Sequence, residues 1–382
     1  MQPSVSRRSL FGLAGGSAAA LGFAGSTAAL ALAPTAARAA TNTKPPFAPA
    51  PGTAMLMRNE NPYGPSPAAL KAIAEHAAHG CYYANGGEQA LAAAIAQRHG
   101  LTPAHILIGA GSNEVLNCAT MALGRKGGIV ASDLTFDPPL RYAEGKGVPM
   151  TRVPLKADLS QDLDRIASAV TPDTSAVHIC NPNNPTGRLI PAADVRALAA
   201  ALPGHVTLIL DEAYNELTPD PAANTLIDRV KAGDNIIIAR TFSKIYGLAG
   251  LRIGYAIARP DLIAKLKPWS MSVGNSTAGL AAALATYDDA EFLAFSRAKI
   301  VEARQLLTEA ATKAGLETLP SATNFVYVKV PDADRLQKAL QAQSILIRGS
   351  YGPKWTEWSR VSCGKMEDVA RYAEALPALV RA

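Results

Sequence analysis

The chain has 382 residues, 48% of them hydrophobic and 18% charged, enough to bury a sizeable core in a globular α/β protein of two domains. Its net charge of +6 includes Arg7, Arg8 and Arg38 in the first 40 residues, where there is no Asp or Glu, so the remainder carries +6 − 3 = +3. With no Lys/Arg run interleaved with aromatics, that balance excludes a nucleic-acid binder.

At the N-terminus, "SVSRRSLFGLAGG" sets a twin arginine before an Ala/Gly/Leu segment, and "TAARAAT" offers small residues in an A-x-A pattern at Ala37 to Ala39. Residues 1–40 resemble a twin-arginine export signal, which implies a periplasmic protein without stable membrane insertion after cleavage; a membrane anchor over Leu10 to Ala33 is the alternative, disfavoured by its Ala/Gly richness. The Pro-rich stretch that follows marks residues 41–66 as an extended arm that joins the small domain.

From Pro67 the chain alternates helical patterns with short apolar runs: "PAALKAIAEHAA", "EQALAAAIAQRHG", "HILIGAG", "EVLNCATMAL", "GGIVASD", "AVHICNP", "AADVRALAAAL", "VTLILDEAY", "NIIIART" and "LRIGYAIA". Short β-rich runs between ten-residue helices predict a mostly parallel sheet covered by helices on both faces, here over residues 67–270. "NFVYVKV", "ADRLQKALQAQ", "SILIRGS", "WSRVSCG" and a terminal helix predict a smaller α+β domain over 271–382. The cysteines, Cys81, Cys118, Cys180 and Cys363, show no C-x-x-C spacing and read as buried free thiols; the six histidines form no ligand pattern, so no metal site is expected.

Ligands of such sheets sit at the carboxyl ends of the strands, and that rule sorts the polar residues. "HILIGAG" ends before Ser112 and Asn113, "AVHIC" before "NPNNPTG", "VTLIL" in Asp211, and "NIIIAR" before Ser243 and Lys244. A lysine at a strand end among apolar walls loses its proton readily and forms a Schiff base with a carbonyl. Pyridoxal 5′-phosphate (PLP) is the cofactor that most often calls for this. Its ring nitrogen needs a carboxylate, for which Asp211 is the candidate. Its phenolic oxygen needs donors, Tyr214 and Asn184. Its phosphate needs a helix start and a cation: Gly111, Ser112 and Asn113 with Ser243 and Arg252. Gly247 and Gly250 are expected to let the backbone pass close beneath.

Together "NENPYG", "GAGSNEVL", "NPNNPTG", "DEAY", "RTFSKIYGLAGLRIGY" and "TNFVYV" resemble the fold type I PLP-dependent aminotransferases, most closely the histidinol-phosphate aminotransferase group, from about Arg58 to the C-terminus. The resemblance implies a homodimer and a reaction between an amino donor and a 2-oxo acid. It makes Lys244 the Schiff-base lysine and proton shuttle, Asp211 the partner of the ring nitrogen, and Asn184 and Tyr214 the partners of the ring oxygen. Phe136 of "DLTFDPP" stands where that family stacks an aromatic on the ring. Tyr83 of "CYYANGGEQAL" resembles the tyrosine that reaches the phosphate from the partner subunit; the family's usual "YP" is "YYA" here, which leaves Tyr82 as the alternative. Arg360 resembles the arginine that clamps the substrate carboxylate, and Arg348 a second anion-binding arginine. Trp355 and Trp358, just before Arg360, suggest a broad amphipathic wall suited to an acidic or aromatic donor.

Taken singly, each residue has an ordinary explanation: Lys244 a solvated lysine, Asp211 and Ser112 caps, "NPNNPTG" a turn, Arg348 and Arg360 surface ion-pair partners. Their order along one rim is what distinguishes them. A decarboxylase resembling threonine-phosphate decarboxylase stands as an alternative on the same frame, and a PLP-binding module without catalysis as a third reading.

Overall fold

The structure, a computed structural model, describes residues 49–381; the export signal read at 1–40 lies outside the described residues. The described part of the arm enters as strand β1 (Ala54–Leu56). The large sheet contains β2 (Ile106–Gly109), β3 (Gly128–Ser132), β4 (Met150–Val153), β5 (Thr174–Cys180), β6 (Thr207–Asp211), β7 (Ile236–Thr241) and β8 (Gly254–Ala258). Their order across the sheet is β2-β8-β7-β6-β5-β3-β4. β3 to β7 pair in parallel, with Cys180 beside Asp211 and Asp211 beside Ala239.

β8 is the exception, antiparallel to both β2 and β7. An antiparallel strand starts at the rim where its neighbours finish, so Arg252, two residues before β8, arrives at the same edge as Asp211 and Lys244. The sequence reading of a mostly parallel sheet holds, and this one reversal is what carries the arginine to the rim.

Apolar residues fill both faces, as a two-sided parallel sheet requires. Leu208 and Leu210 of β6 join one core cluster, and Ile209 joins the other, with Ala176, Ile237 and Ala256. On the second face lies helix Ser112–Gly124, ten of whose thirteen residues are buried.

The smaller strands follow: β9 (Phe325–Lys329), β10 (Ile345–Ile347) and β11 (Trp358–Ser362). β1 pairs with β10 in parallel, so residues 54–56 of the arm lie beside a C-terminal strand; β9 and β11 are antiparallel. Between these pairs Arg348 and Arg360 form an antiparallel bridge, each N–H bonding the other's carbonyl at 3.1 Å. Helices Ala290–Lys313 and Met366–Arg381 pack together behind these strands. Helix Thr277–Tyr287 instead packs on Pro67–Ala77 and Gly87–His99. By contact, everything from Pro49 onward belongs to one compact unit.

All four thiols are free; Cys118, Cys180 and Cys363 are buried, but Cys81, read as buried, is exposed because it lies in the exposed segment 80–83. Among the described residues there is no group of His, Cys, Asp and Glu able to hold a metal, and no helix long and apolar enough to cross a membrane.

Candidate active site

The carboxyl ends of β2, β6 and β7 enclose a cavity of about 420 Å³ lined by Ser112, Asn113, Phe136, Asp211, Tyr214, Ser243, Lys244 and Arg252, with Arg58 and Glu60 from the arm. Asp211 ends β6 and is 1% exposed. Its Oδ1 accepts from the Ala213 N–H at 3.1 Å and its Oδ2 from the Cys180 thiol at 3.7 Å. It has no ion-pair partner within 4.0 Å among the described residues. Burial therefore raises its carboxyl to about 6. A buried acid in this state fits a cationic N–H above it.

Lys244 follows β7 by three residues, and its Nζ donates to the carbonyl of Asn59 at 3.2 Å. Burial, then the like charge of Arg360, lowers its amine to about 8. That is the state a carbonyl-attacking amine needs near neutrality. The Tyr214 hydroxyl receives Asn59 Nδ2 at 3.0 Å and Asn184 Nδ2 at 3.4 Å, and burial pushes its phenol upward.

At the opposite wall, helix Ser112–Gly124 starts after Gly111, which has φ +85° and no side chain to cap the helix, so its first-turn N–H groups keep no side-chain partner. A Cβ on Gly111 would collide with Arg252 Nη2. Arg252 reaches Ser243 Oγ at 3.3 Å and the Ala110 carbonyl at 3.1 Å. Uncapped helix-start N–H groups, a hydroxyl and a guanidinium in one corner form an anion cradle. Gly247, with φ +69°, does pass close to another chain segment, but that segment is Gly64 of the arm: a Cβ there would lie 2.5 Å from the Gly64 Cα. Gly250 lines the cavity, with no protein atom within 4 Å of the position its Cβ would take.

A second cavity, of about 510 Å³, adjoins the first and shares Arg58 and Phe136 with it; Asn184, Arg348, Tyr351 and Arg360 also line it. Arg360 is 8% exposed, and its Nη1 donates to Asn184 Oδ1 at 2.7 Å. The Arg348 guanidinium lies 5.1 Å from the Tyr351 ring centre. The tryptophan wall is corrected, since neither tryptophan lines this cavity: Trp358 stacks on Tyr327 at 5.0 Å and packs with Trp355 in an apolar cluster whose members Leu134 and Tyr351 do line it, so the tryptophans back the wall rather than form it.

Cationic corner, free buried carboxylate and low-pKa lysine fit the three poles of PLP. Residues 54–376 match the family described as aminotransferase class I and II. The chain belongs to this aminotransferase family. It is 39% identical over 329 residues to histidinol-phosphate aminotransferase 2 of Ralstonia nicotianae, covering 84% of this chain and 87% of that one. It is 36% identical over 332 residues to histidinol-phosphate aminotransferase 1 of Cupriavidus pinatubonensis, covering 85% and 88%. Its fold matches the histidinol-phosphate aminotransferase of Sinorhizobium meliloti, solved with PLP, at a TM-score of 0.81 and 34% identity, covering 85% of this chain and 90% of the other.

The protein is thus a PLP-dependent aminotransferase of fold type I. PLP, when bound, supplies an electron sink for the donor's α-carbon. In this aminotransferase Asp211 would hold the ring nitrogen protonated, and Asn184 and Tyr214 would meet the ring oxygen. Gly111, Ser112, Asn113, Ser243 and Arg252 would hold the phosphate, and Phe136 would cover the ring. Lys244 Nζ would be the group to take and return the α-proton.

Tyr83 is not brought to the site of its own chain. It is 75% exposed, beside Tyr82 in a separate depression with Val273 and Asn275. Sequence reasoning passed over Asn59, Ser362 and Cys180. Asn59 lay within the quoted "NENPYG", yet nothing local linked it to Tyr214, 155 positions away.

Proposed function

We propose that the aminotransferase takes an amino donor carrying an anionic group, bound by Arg360 and Arg348 together, and passes the amino group to a 2-oxo acid outside the cytoplasm. The observation that carries the donor class is the Arg348–Arg360 bridge. Residues directly opposite in an antiparallel pair project from the same face, and like charges there repel. Neither arginine has a carboxylate within 4.0 Å among the described residues, and both line the cavity beside the PLP site. A bound carboxylate or phosphate relieves that repulsion.

Histidinol phosphate is the specific donor that the names of the relatives support, since its phosphate supplies the anion. Against it stands the twin-arginine signal at Arg7 and Arg8, which supports a periplasmic enzyme loaded with PLP before export, because that route carries folded proteins. Tyr83, exposed and remote from its own site, supports a homodimer in which each chain completes the other's phosphate cradle.

The test is a donor panel with 2-oxoglutarate or pyruvate: histidinol phosphate against histidinol, and acidic and aromatic amino acids against their amides. Anionic members should exceed neutral counterparts by about 10² or more in kcat/KM, the scale for an unfilled buried charge site. Equal turnover of both members of each pair would overturn the assignment. Cell fractionation tests the location; activity confined to the cytoplasm would return the enzyme there.

A further inference from the structure

Asn59 is 1% exposed and lies in the arm with φ +57°, a left-handed conformation that Asn and Gly tolerate better than other residues. Its carbonyl accepts from Lys244 Nζ at 3.2 Å and from Asn324 Nδ2 at 2.8 Å. Its side chain is fixed at both ends: Oδ1 accepts from Ser362 Oγ at 2.7 Å, and Nδ2 donates to the Tyr214 hydroxyl at 3.0 Å. The same Ser362 Oγ accepts from the Asn59 backbone N–H at 2.9 Å. Ser362 ends β11 and Asn324 precedes β9, so one arm residue ties the C-terminal strands to two residues of the PLP site.

A tyrosine hydroxyl has one proton to give and two lone pairs. Asn59 supplies one N–H to that oxygen and Asn184 a second, longer one at 3.4 Å. The phenolic proton is then left for an acceptor in the cavity.

We propose that Asn59 is a positioning residue of this aminotransferase: held by Ser362, its side-chain N–H occupies the acceptor side of Tyr214 and directs the tyrosine's proton toward the phenolic oxygen of bound PLP. Ser362 sets which end of the amide faces Tyr214. Its hydroxyl proton goes to Oδ1, which leaves only Nδ2 for the tyrosine. The inference is independent of the donor's identity, because it concerns the cofactor side of the site.

The experiment follows the visible absorption of PLP on the loaded enzyme as a function of pH. A hydrogen bond to the ionised phenolic oxygen favours that form and keeps its midpoint low. Asn59→Asp keeps the shape and tolerates the positive φ but turns the donor into an acceptor, which draws the Tyr214 proton away from the cofactor. The midpoint should rise by about one pH unit or more. Asn59→Gly keeps the backbone and removes the amide, and Ser362→Ala removes the buttress; each should raise the midpoint by a smaller amount. Tyr214→Phe sets the upper bound. If Asn59→Asp does not fold, Asn59→Gly and Ser362→Ala decide alone. An unshifted midpoint in the variants that load PLP, even with weaker PLP retention or a lower Tm, would show that Asn59 only braces the arm and would overturn the proposal.

Discussion

Asn184 Oδ1 accepts a hydrogen bond from Arg360 Nη1 at 2.7 Å, so a residue of the cofactor pocket and the buried arginine of the neighbouring cavity are held by one contact. Arg360 also donates to the Met57 carbonyl at 2.7 Å, while its Nε has no partner. Its fork is therefore fixed in direction with a donor to spare. Arg360→Lys keeps the charge but loses the planar fork. KM for an anionic donor should rise by about 10²-fold with PLP affinity little changed. Steady-state kinetics beside a PLP titration checks this; an unaltered KM would remove Arg360 from substrate binding.

Lys244 is expected to capture PLP covalently with a rate that climbs with pH and levels off above about 8, where its amine has lost its proton. An ordinary lysine would keep climbing toward about 10.4, with about two-hundredfold less free amine at pH 7.5. Stopped-flow mixing of unloaded enzyme with PLP across pH 6.5–10 reads the midpoint, on the order of the range a lysine spans when buried. Lys244→Ala should show no covalent capture at any pH.

Asp211 is expected to set stability against function. Its folded-state value of about 6 lies above its ordinary 3.8, so the stability it contributes is present below the lower value and lost as pH rises through the higher. Above pH 6 the unloaded enzyme therefore bears the cost of a buried unpaired charge. Asp211→Asn should stabilise the unloaded protein at pH 8, by roughly 1–3 kcal/mol, and lower kcat by about 10² or more. Thermal unfolding without PLP, paired with turnover, checks both signs. Asp211→Asn with near-normal turnover would mean that another carboxylate serves the ring nitrogen.

Arg240 is expected to matter for folding rather than chemistry. Its Nε and Nη2 donate to Glu212 Oε2 at 3.0 and 2.7 Å in a pair whose side chains are 7% and 1% exposed. Glu212 is the neighbour of Asp211 in sequence, with its carboxylate on the other side of β6. Arg240→Met should cost about 3–5 kcal/mol, because it leaves a buried carboxylate without its cation. Urea unfolding of the loaded enzyme measures it.

Tyr83 gives a test of the shared site. Mixing Lys244→Ala with Tyr83→Phe chains should produce activity above the sum of the two, since a mixed dimer holds one site with neither defect. Sedimentation of an active monomer would end this idea.

The amino-acid sequence by itself determined the local layers of this protein. Short, nearly continuous apolar runs between helical segments specify the strands and helices, and a two-sided sheet leaves polar residues only at strand ends. Asp211, Ser243, Lys244 and the Gly111–Asn113 turn were legible for that reason. So was the cofactor, because the chemistry of PLP demands an amine, a carboxylate and an anion cradle at separate points. What only the tertiary structure decided depends on contacts between segments far apart in the chain. The reversal of β8 is set by pairing with β2 and β7. The stacking of Trp358 on Tyr327, behind the cavity lining, is set by the β9–β11 pairing. The hold of Asn59 on Tyr214, Lys244 and Ser362 spans 303 positions at its widest. Apolar spacing records which face of an element is buried. It carries no record of which distant side chain meets an arm residue, since an asparagine turned by a positive φ reads locally as a turn and becomes a node only when two other parts of the chain close around it.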